Sequence, residues 1–192
     1  MLVHENAVVK IRKDMPLDRA ALIGCSTITG FGAVSNTAKV APGETVAVIG
    51  CGGVGMAAIN GAYIAGAARI IAVDTNAVKL QLAAKMGATD LVYPNEGDPV
   101  EQIKELTGGG VHNALECLGL KKTAEQSFEM LAFGGTATIV GMVLFGEKIE
   151  LHGFDFLRER RIQGSSMGSN RFRTDMPRLI ELYLQGRLHL DD

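Results

Sequence analysis

An alternation of short apolar runs with segments of helical spacing constrains the fold of this chain more than any other feature. The runs are rich in Val, Ile and Thr and mostly end at Gly, Asp, Asn or Pro, which predicts buried strands. Six strands are predicted, over residues 45–50, 69–74, 89–93, 111–119, 136–141 and 161–166. Five helices are predicted among them, over 54–65, 77–86, 99–106, 123–131 and 153–160. Because parallel neighbours need crossover helices, this order predicts an α/β fold with a doubly wound, six-stranded parallel sheet.

The two ends of the chain lie outside this alternation. Residues 1–15 are predicted to be strand-like and polar. Residues 17–39 are predicted to form one or two helices broken near Gly24, with Pro16 at the first helical position. A last helix is predicted over about 177–185, and no Pro/Gly/Ser-rich linker marks an internal domain boundary.

The composition argues against several classes of protein. The 192 residues carry a net charge of -2 and no run of five like charges, which argues against a nucleic-acid surface or a polybasic membrane tail. No apolar run approaches the roughly 18 to 20 residues that span a bilayer, and the N-terminus lacks the order of a secretory signal. Three cysteines without a CxxC pair argue against a disulfide framework. We therefore expect a soluble, cytoplasmic protein.

A glycine-rich turn joins the first predicted strand to the helix that follows it, in the sequence VAVIGCGGVG. Gly50, Gly52 and Gly55 have the G-x-G-x-x-G spacing that gives a sharp turn, a close approach to pyrophosphate and tight packing of the helix on the sheet. The N-terminus of the helix favours phosphate. No Lys-Ser/Thr pair follows, which excludes a Walker P-loop. In this strand-to-helix context the motif predicts a dinucleotide site rather than a structural turn alone, with the contacts Gly50, Cys51, Gly52, Gly53, Val54 and Gly55.

Asp74, at the end of the second predicted strand, favours NAD over NADP. A carboxylate there accepts hydrogen bonds from the adenosine ribose hydroxyls, whereas a 2'-phosphate would bring a like charge close to it. Two unit charges 4 Å apart interact by about 4 kcal/mol at an effective dielectric constant of 20. Thr75 and Asn76 bring no positive charge to offset this repulsion, although Arg69 or Lys79 could reach the region.

Several stretches together resemble the zinc-dependent alcohol dehydrogenases of the medium-chain dehydrogenase/reductase superfamily. They read LIGCSTITGFGA, GCGGVG, GAARIIAVD, ALECLG and TIVGM, and the resemblance extends from about residue 1 to 189. It implies a Rossmann domain that binds NAD within a longer enzyme. That enzyme would oxidise an alcohol to an aldehyde or ketone by hydride transfer to NAD, with a catalytic zinc as Lewis acid.

The resemblance also implies roles for single residues. Cys25 matches the third protein ligand of the catalytic zinc, and Thr29 matches a residue that contacts the nicotinamide. Asp74 and Lys79 match the ribose contacts. The residues that match the nicotinamide side are Leu118, Gly119, Val140, Gly141 and Met142.

The resemblance places the remaining zinc ligands, a Cys and a His, in a catalytic domain that should precede this chain. Residues 1–40 would then be an arm and connecting helices at the junction with that domain, and 41–192 the NAD-binding domain. Because a catalytic zinc needs three protein ligands, we expect the isolated chain to hold no zinc and to lack turnover. NAD and a small alcohol or aldehyde are the expected ligands.

Two other functions stay open at this point. One is a zinc-free quinone or enoyl reductase of the same superfamily, usually with NADPH, and the other is a non-catalytic nucleotide-sensing module. In the resembling dimeric enzymes the last strand pairs with its twin, so a homodimer through the sheet edge is expected. Met142, Leu144 and Phe145 could border a substrate cleft or belong to the core.

Overall fold

The computed structural model describes residues 2–191 and contains a six-stranded sheet in the order β3-β2-β1-β4-β5-β6. Neighbouring strands all run parallel within this described part of the chain. The strands are β1 (Thr45–Ile49), β2 (Arg69–Val73), β3 (Asp90–Val92), β4 (Val111–Glu116), β5 (Leu131–Ile139) and β6 (Arg161–Gly164). The predicted doubly wound parallel sheet is therefore confirmed. Only β5 begins outside its predicted run, because its pairing with β4 shifts register beyond Leu131.

Seven α-helices connect or flank these strands within residues 2–191. They are α1 (Leu17–Leu22), α2 (Ile28–Gly32), α3 (Gly53–Ala65), α4 (Ala77–Lys85), α5 (Pro99–Thr107), α6 (Lys121–Glu129) and α7 (Phe172–Leu184). The Asn76 side chain accepts the Val78 amide and caps α4, and the Asp98 side chain accepts the Val100 amide and caps α5. These caps fix where α4 and α5 begin.

The N-terminal predictions were wrong in two respects. The structure has no strand within residues 2–15, only a short 3-10 turn at Glu5–Ala7. The helix is not broken at Gly24, since α1 and α2 are joined by a π-helical segment, Ile23–Thr27, and a second one, Ala33–Ala38, follows α2. A glycine costs a helix only about 1 kcal/mol, and packing of the buried apolar side chains beside it outweighs that cost.

Two further helix predictions also need correction. The last helix begins at Phe172 rather than near Pro177, because the Asp175 carboxylate accepts the Arg171 amide and starts the helix before the proline. The segment predicted as a helix over 153–160 is a 3-10 helix, Gly153–Arg158. Pro16 is the N-cap of α1 rather than its first helical residue.

Both faces of the sheet are covered by apolar clusters. Val46 and Val48 face a cluster that contains side chains of α3 and α4. Ala47 and Ile49 face the opposite cluster, which contains side chains of α5 and α6. Burial on both faces explains why β1 is apolar without alternation. A third cluster joins the N-terminal helices to α7 and the last residues described, with Met15, Ile23, Ile28, Leu179, Ile180, Leu188 and Leu190.

This topology leaves the carboxyl ends of the strands open to a ligand. The chain runs from β1 outward to β3, then crosses to β4 and runs outward in the other direction. Ligands of such sheets bind at the carboxyl ends of the strands, where the strand order reverses. None of the helices between residues 2 and 191 combines the length and apolar character needed to cross a lipid bilayer.

Candidate functional site

The glycine turn between β1 and α3 leaves no room for a side chain at Gly50 or Gly55 but leaves room at Gly52. Gly50 has a φ of +93°, and a Cβ on it would lie 2.6 Å from the Leu118 side chain. A Cβ on Gly55 would lie 1.8 Å from the Gly50 carbonyl oxygen, so only glycine lets α3 approach β1 this closely. A Cβ on Gly52 would have no atom within 4 Å. The free space therefore lies beside Gly52, at the N-terminus of α3.

The first turn of α3 can receive an anion in that space. Gly53, Val54 and Gly55 form this turn, and no side chain caps it. The first amides of a helix have no intrahelical acceptor, and they point at any phosphate placed before them. The Cys51 amide is engaged elsewhere, since it donates to the Asp74 carboxylate over 2.8 Å.

Asp74 directly follows β2 and is fixed by backbone amides. Its Oδ2 accepts the Cys51 amide, and its Oδ1 accepts the Asn76 amide over 2.9 Å. The residue is 8% exposed. An ionised carboxylate can accept more than one hydrogen bond at each oxygen, so both oxygens keep room for a hydroxyl donor. The glycine turn and Asp74 are thus held together as one rigid corner.

A cleft of about 760 Å³ opens beside this corner. Asp74, Thr75 and Lys79 line one side of it. The opposite wall contains Leu118, which the resemblance matches to the nicotinamide side. Its other residues were not anticipated from the sequence, and they are Pro94, Gly97, Asp98, Pro99, Leu120, Lys122, Thr123 and Gln126. Leu118 and Leu120 are each about half exposed, so an apolar surface faces the carboxylate. An apolar cleft with a few polar groups is the usual form of a small-molecule site.

Arg69 lies too far from this corner to offset the charge of Asp74. It stands at the first position of β2, whereas Asp74 follows the last one. Its guanidinium donates to both oxygens of Asp90, over 2.8 and 2.9 Å, and to the Leu106 carbonyl. The expectation that Arg69 could reach the ribose region was therefore wrong. Lys79 is the one of the two candidates that lines the cleft.

The residues matched to the nicotinamide side meet at the ends of β4 and β5. A Cβ on Gly119 would lie 2.6 Å from the Met142 carbonyl oxygen, and a Cβ on Gly141 would lie 2.1 Å from the Gly119 nitrogen. The two loops therefore touch through their backbones. The Val140 and Gly141 amides both donate to the Glu116 carbonyl, over 2.8 and 2.9 Å.

The Glu116 side chain binds the same region, and the sequence analysis did not assign it a role. Its Oε1 accepts the amides of Leu118 and Gly119 over 3.0 and 2.8 Å, and the Thr123 hydroxyl over 2.7 Å. The residue is fully buried. A charged residue inside the otherwise apolar run ALECLG is a signal that could have identified it.

Thr29 lies beside a loop that follows β6. Its hydroxyl is 3.7 Å from the Met167 sulfur. Met167 and Ser169 have left-handed backbones, with φ of +48° and +46°, and a Cβ on Gly168 would lie 2.4 Å from the Ile28 carbonyl. Left-handed non-glycine residues persist only where the surroundings hold them, and they are frequent at ligand sites. The helical stretch thus holds this third loop near the same edge of the sheet.

Comparison with known proteins identifies the family. The family described as Zinc-binding dehydrogenase matches residues 53–185. The chain belongs to the zinc-binding dehydrogenase family. It is 42% identical over 193 aligned positions to "Alcohol dehydrogenase 1" of Pisum sativum, an alignment that covers 99% of this chain and 51% of that protein. The chain spans about half the length of the curated relatives it matches.

Two solved structures of zinc-binding dehydrogenase type share the fold. Benzyl alcohol dehydrogenase from Acinetobacter calcoaceticus superposes with a TM-score of 0.93 at 36% identity, over 95% of this chain and 51% of the other. A zinc-binding dehydrogenase from Sinorhizobium meliloti, solved with bound NADP, superposes with a TM-score of 0.80 at 34% identity, over 87% of this chain and 49% of the other. The first is named for an alcohol substrate, and the second holds a dinucleotide.

The three cysteines of the chain differ in their surroundings. Cys25 is exposed and lies in the π-helical segment between α1 and α2. Burial, followed by the charge of Asp74, raises the pKa of the Cys51 thiol to about 12. Burial raises the pKa of Cys117 even further. Cys25 is the one exposed cysteine, whereas Cys117 is half-buried and Cys51 is buried. No group of three or more His, Cys, Asp or Glu among residues 2–191 could hold a metal ion. The described residues alone do not form a zinc site.

Proposed function

We propose that the chain is the NAD-binding domain of a zinc-dependent alcohol dehydrogenase, which transfers a hydride from an alcohol to NAD and releases an aldehyde or ketone. The observation that carries the proposal is the corner formed by the glycine turn and Asp74 at the mouth of the cleft. The family and the names of its relatives support the dehydrogenase class. When bound, the nicotinamide would supply the hydride acceptor, and this chain would bind and orient it.

Each part of the corner suits one part of NAD. The space beside Gly52 and the uncapped start of α3 suit the pyrophosphate. Asp74 and Lys79 suit the adenosine ribose, and the half-exposed Leu120 suits the adenine side of the cleft. Because Arg69 is engaged by Asp90, the carboxylate of Asp74 disfavours a 2'-phosphate. Because a similar solved structure holds NADP, the preference of this chain for NAD over NADP needs a direct test.

Calorimetric titration of the chain with NAD and NADP tests the proposal. We expect NAD to bind more tightly, and Asp74→Asn to weaken NAD binding about tenfold while narrowing the gap to NADP, because charged hydrogen bonds contribute about 1.5 to 3 kcal/mol. Glu96→Gln is the matched control, since it removes a nearby carboxylate that does not line the cleft. Preference of the wild type for NADP would contradict the role of Asp74 and favour the reductase alternative.

Cys25 is proposed as one ligand of the catalytic zinc in the longer protein. Its exposure leaves the thiol accessible to a metal shared with residues outside this chain. A catalytic zinc needs three protein ligands, so we expect the chain alone to retain no stoichiometric zinc and to form no NADH from an alcohol. Elemental analysis and an absorbance assay at the NADH band check both. Alcohol-dependent NADH formation by the pure chain would contradict this part of the proposal.

The proposal extends to partners, domains and location. Residues 1–40 would contact the catalytic domain, and 41–192 would form the NAD-binding domain. The edge strand β6, whose side chains are exposed or half-buried, would pair with a second copy in a homodimer, which sedimentation would detect. The free thiols of all three cysteines suit a reducing, cytoplasmic location.

A further inference from the structure

Glu116 occupies an unusual electrostatic position beneath the proposed nicotinamide contacts. It is 0% exposed at the last position of β4. Its Oε1 accepts three hydrogen bonds, from two amides of the loop after β4 and from the Thr123 hydroxyl of α6. Its Oε2 is buried and has no hydrogen-bond partner. Only one of the two carboxylate oxygens of Glu116 is thus hydrogen-bonded.

No cationic side chain compensates this carboxylate within residues 2–191. The ion pairs of the described chain involve acids other than Glu116. The two lysines at the start of α6 do not pair with Glu116 either, since Lys121 pairs with Glu125 and Glu150 and Lys122 lines the cleft. Burying a carboxylate without a counter-charge is costly. A positive group bound nearby would offset this cost.

The unpartnered oxygen points toward the proposed nicotinamide contacts. A Cβ on Gly141 would lie 2.6 Å from Oε2, which places this atom directly against the loop after β5. The same side chain holds Leu118 and Gly119 by their amides, and the Glu116 carbonyl holds Val140 and Gly141. Its charge and its hydrogen bonds therefore act on both loops at once.

We propose that Glu116 is a positioning residue that sets the preference of the site for oxidised over reduced dinucleotide. The inference deepens the proposed function and rests on it. The nicotinamide ring carries a positive charge in NAD⁺ and none in NADH, while the rest of the molecule is the same. In its ionised form, Glu116 places a negative charge under the loops that hold the ring, and this charge attracts the oxidised form alone. In the low dielectric of the interior such an attraction acts across several ångströms.

Glu116→Gln separates the charge from the hydrogen bonds. The amide oxygen can accept the same three donors as Oε1, so the loops keep their ties while the charge is lost. Glu125→Gln is the control, because it removes another carboxylate of α6, one that pairs with Lys121 and does not line the cleft. The wild type and both variants are titrated with NAD⁺, NADH and AMP, the last as a probe of the adenosine half.

The proposal expects Glu116→Gln to raise the Kd for NAD⁺ by about three- to tenfold relative to that for NADH, as a partly screened unit charge would. AMP binding should not change, and Glu125→Gln should leave the NAD⁺/NADH ratio at its wild-type value. A purely structural role would weaken NAD⁺ and NADH equally, so an unchanged ratio in Glu116→Gln overturns the proposal. If this variant is unfolded at the assay temperature, Glu116→Met, apolar and of similar volume, takes its place in the same comparison.

The same titrations separate this inference from the proposed function. A wild-type chain that binds neither NAD⁺ nor NADH overturns both. A wild-type chain that binds both, with a ratio that Glu116→Gln leaves unchanged, overturns only the role of Glu116 and leaves the NAD site intact.

Discussion

Two glycines of the same turn should respond to alanine in opposite ways. At Gly55 the new Cβ would lie 1.8 Å from the Gly50 carbonyl oxygen, and contacts below 3.0 Å are essentially absent from proteins. The helix α3 must therefore move by at least 3.0 − 1.8 = 1.2 Å. At Gly52 the new Cβ meets no atom within 4 Å, and the φ of -84° suits alanine. The two changes are chemically identical and differ only in their surroundings.

Gly55→Ala should destabilise the fold, and Gly52→Ala should not. Overpacking typically costs about 1 to 3 kcal/mol, and a chain of this size loses about 2 to 4 °C of Tm per kcal/mol, so we expect a drop of roughly 2 to 12 °C for Gly55→Ala. Gly52→Ala should keep the wild-type Tm or exceed it slightly, since alanine restricts the unfolded chain. Its methyl group fills the space proposed for pyrophosphate, so NAD binding should weaken about tenfold or more.

Differential scanning calorimetry and NAD titration of both variants check these outcomes. AMP serves as a second ligand, because it contains the adenosine and a single phosphate. The reasoning is refuted if Gly55→Ala unfolds at the wild-type temperature, since the close contact would then be unimportant. It is equally refuted if Gly52→Ala binds NAD as tightly as the wild type.

Three further predictions concern stability and reactivity. The hydrogen bond from Arg69 lowers the pKa of Asp90, so the pair stabilises the fold above the unfolded-state pKa of about 3.9 and this contribution is lost as pH falls through the folded value. The free energy of unfolding of Asp90→Asn at pH 6 should therefore be about 1 kcal/mol lower than that of the wild type. This difference should shrink as pH falls below the unfolded-state pKa, and a constant difference would contradict the prediction. Iodoacetamide at pH 8 should modify Cys25 in the native chain and spare Cys51, whose pKa is raised to about 12, and mass spectrometry showing equal rates would refute the assignment. Asn76→Ala should cost about 1 kcal/mol in urea unfolding through loss of its cap on α4, and an unchanged midpoint would show that the cap is dispensable.

The sheet could be predicted from the sequence because its strands are buried on both faces. Runs such as TVAVI and RIIAV are apolar throughout, and glycine or aspartate marks their ends. The glycine spacing and Asp74 predicted the corner proposed for the dinucleotide for the same local reason, because the turn, the helix start and the acid each follow a strand end. Local sequence preferences of this kind agree with the final fold, so they can be recognised in the sequence.

Contacts between distant segments could not be predicted in the same way. The cleft's far wall comes from α5 and α6 and the turns before them, which have no common sequence pattern. The sequence alone did not exclude a contact between Arg69 and Asp74. The partner of Arg69 is Asp90, which only the pairing of β2 with β3 brings beside Arg69. The helix through Gly24 persists because its apolar neighbours are buried by α7, a segment far away in the chain. The role of Cys25 came from resemblance, since a single cysteine carries no spacing signal.

The most direct test of the central claim is a crystal structure of the chain with bound NAD. The account predicts the pyrophosphate at the amides of Gly52 to Val54, the ribose hydroxyls on the Asp74 carboxylate, and the nicotinamide between the loops that follow β4 and β5. NAD bound elsewhere on the surface, or a ribose without contact to Asp74, would contradict it.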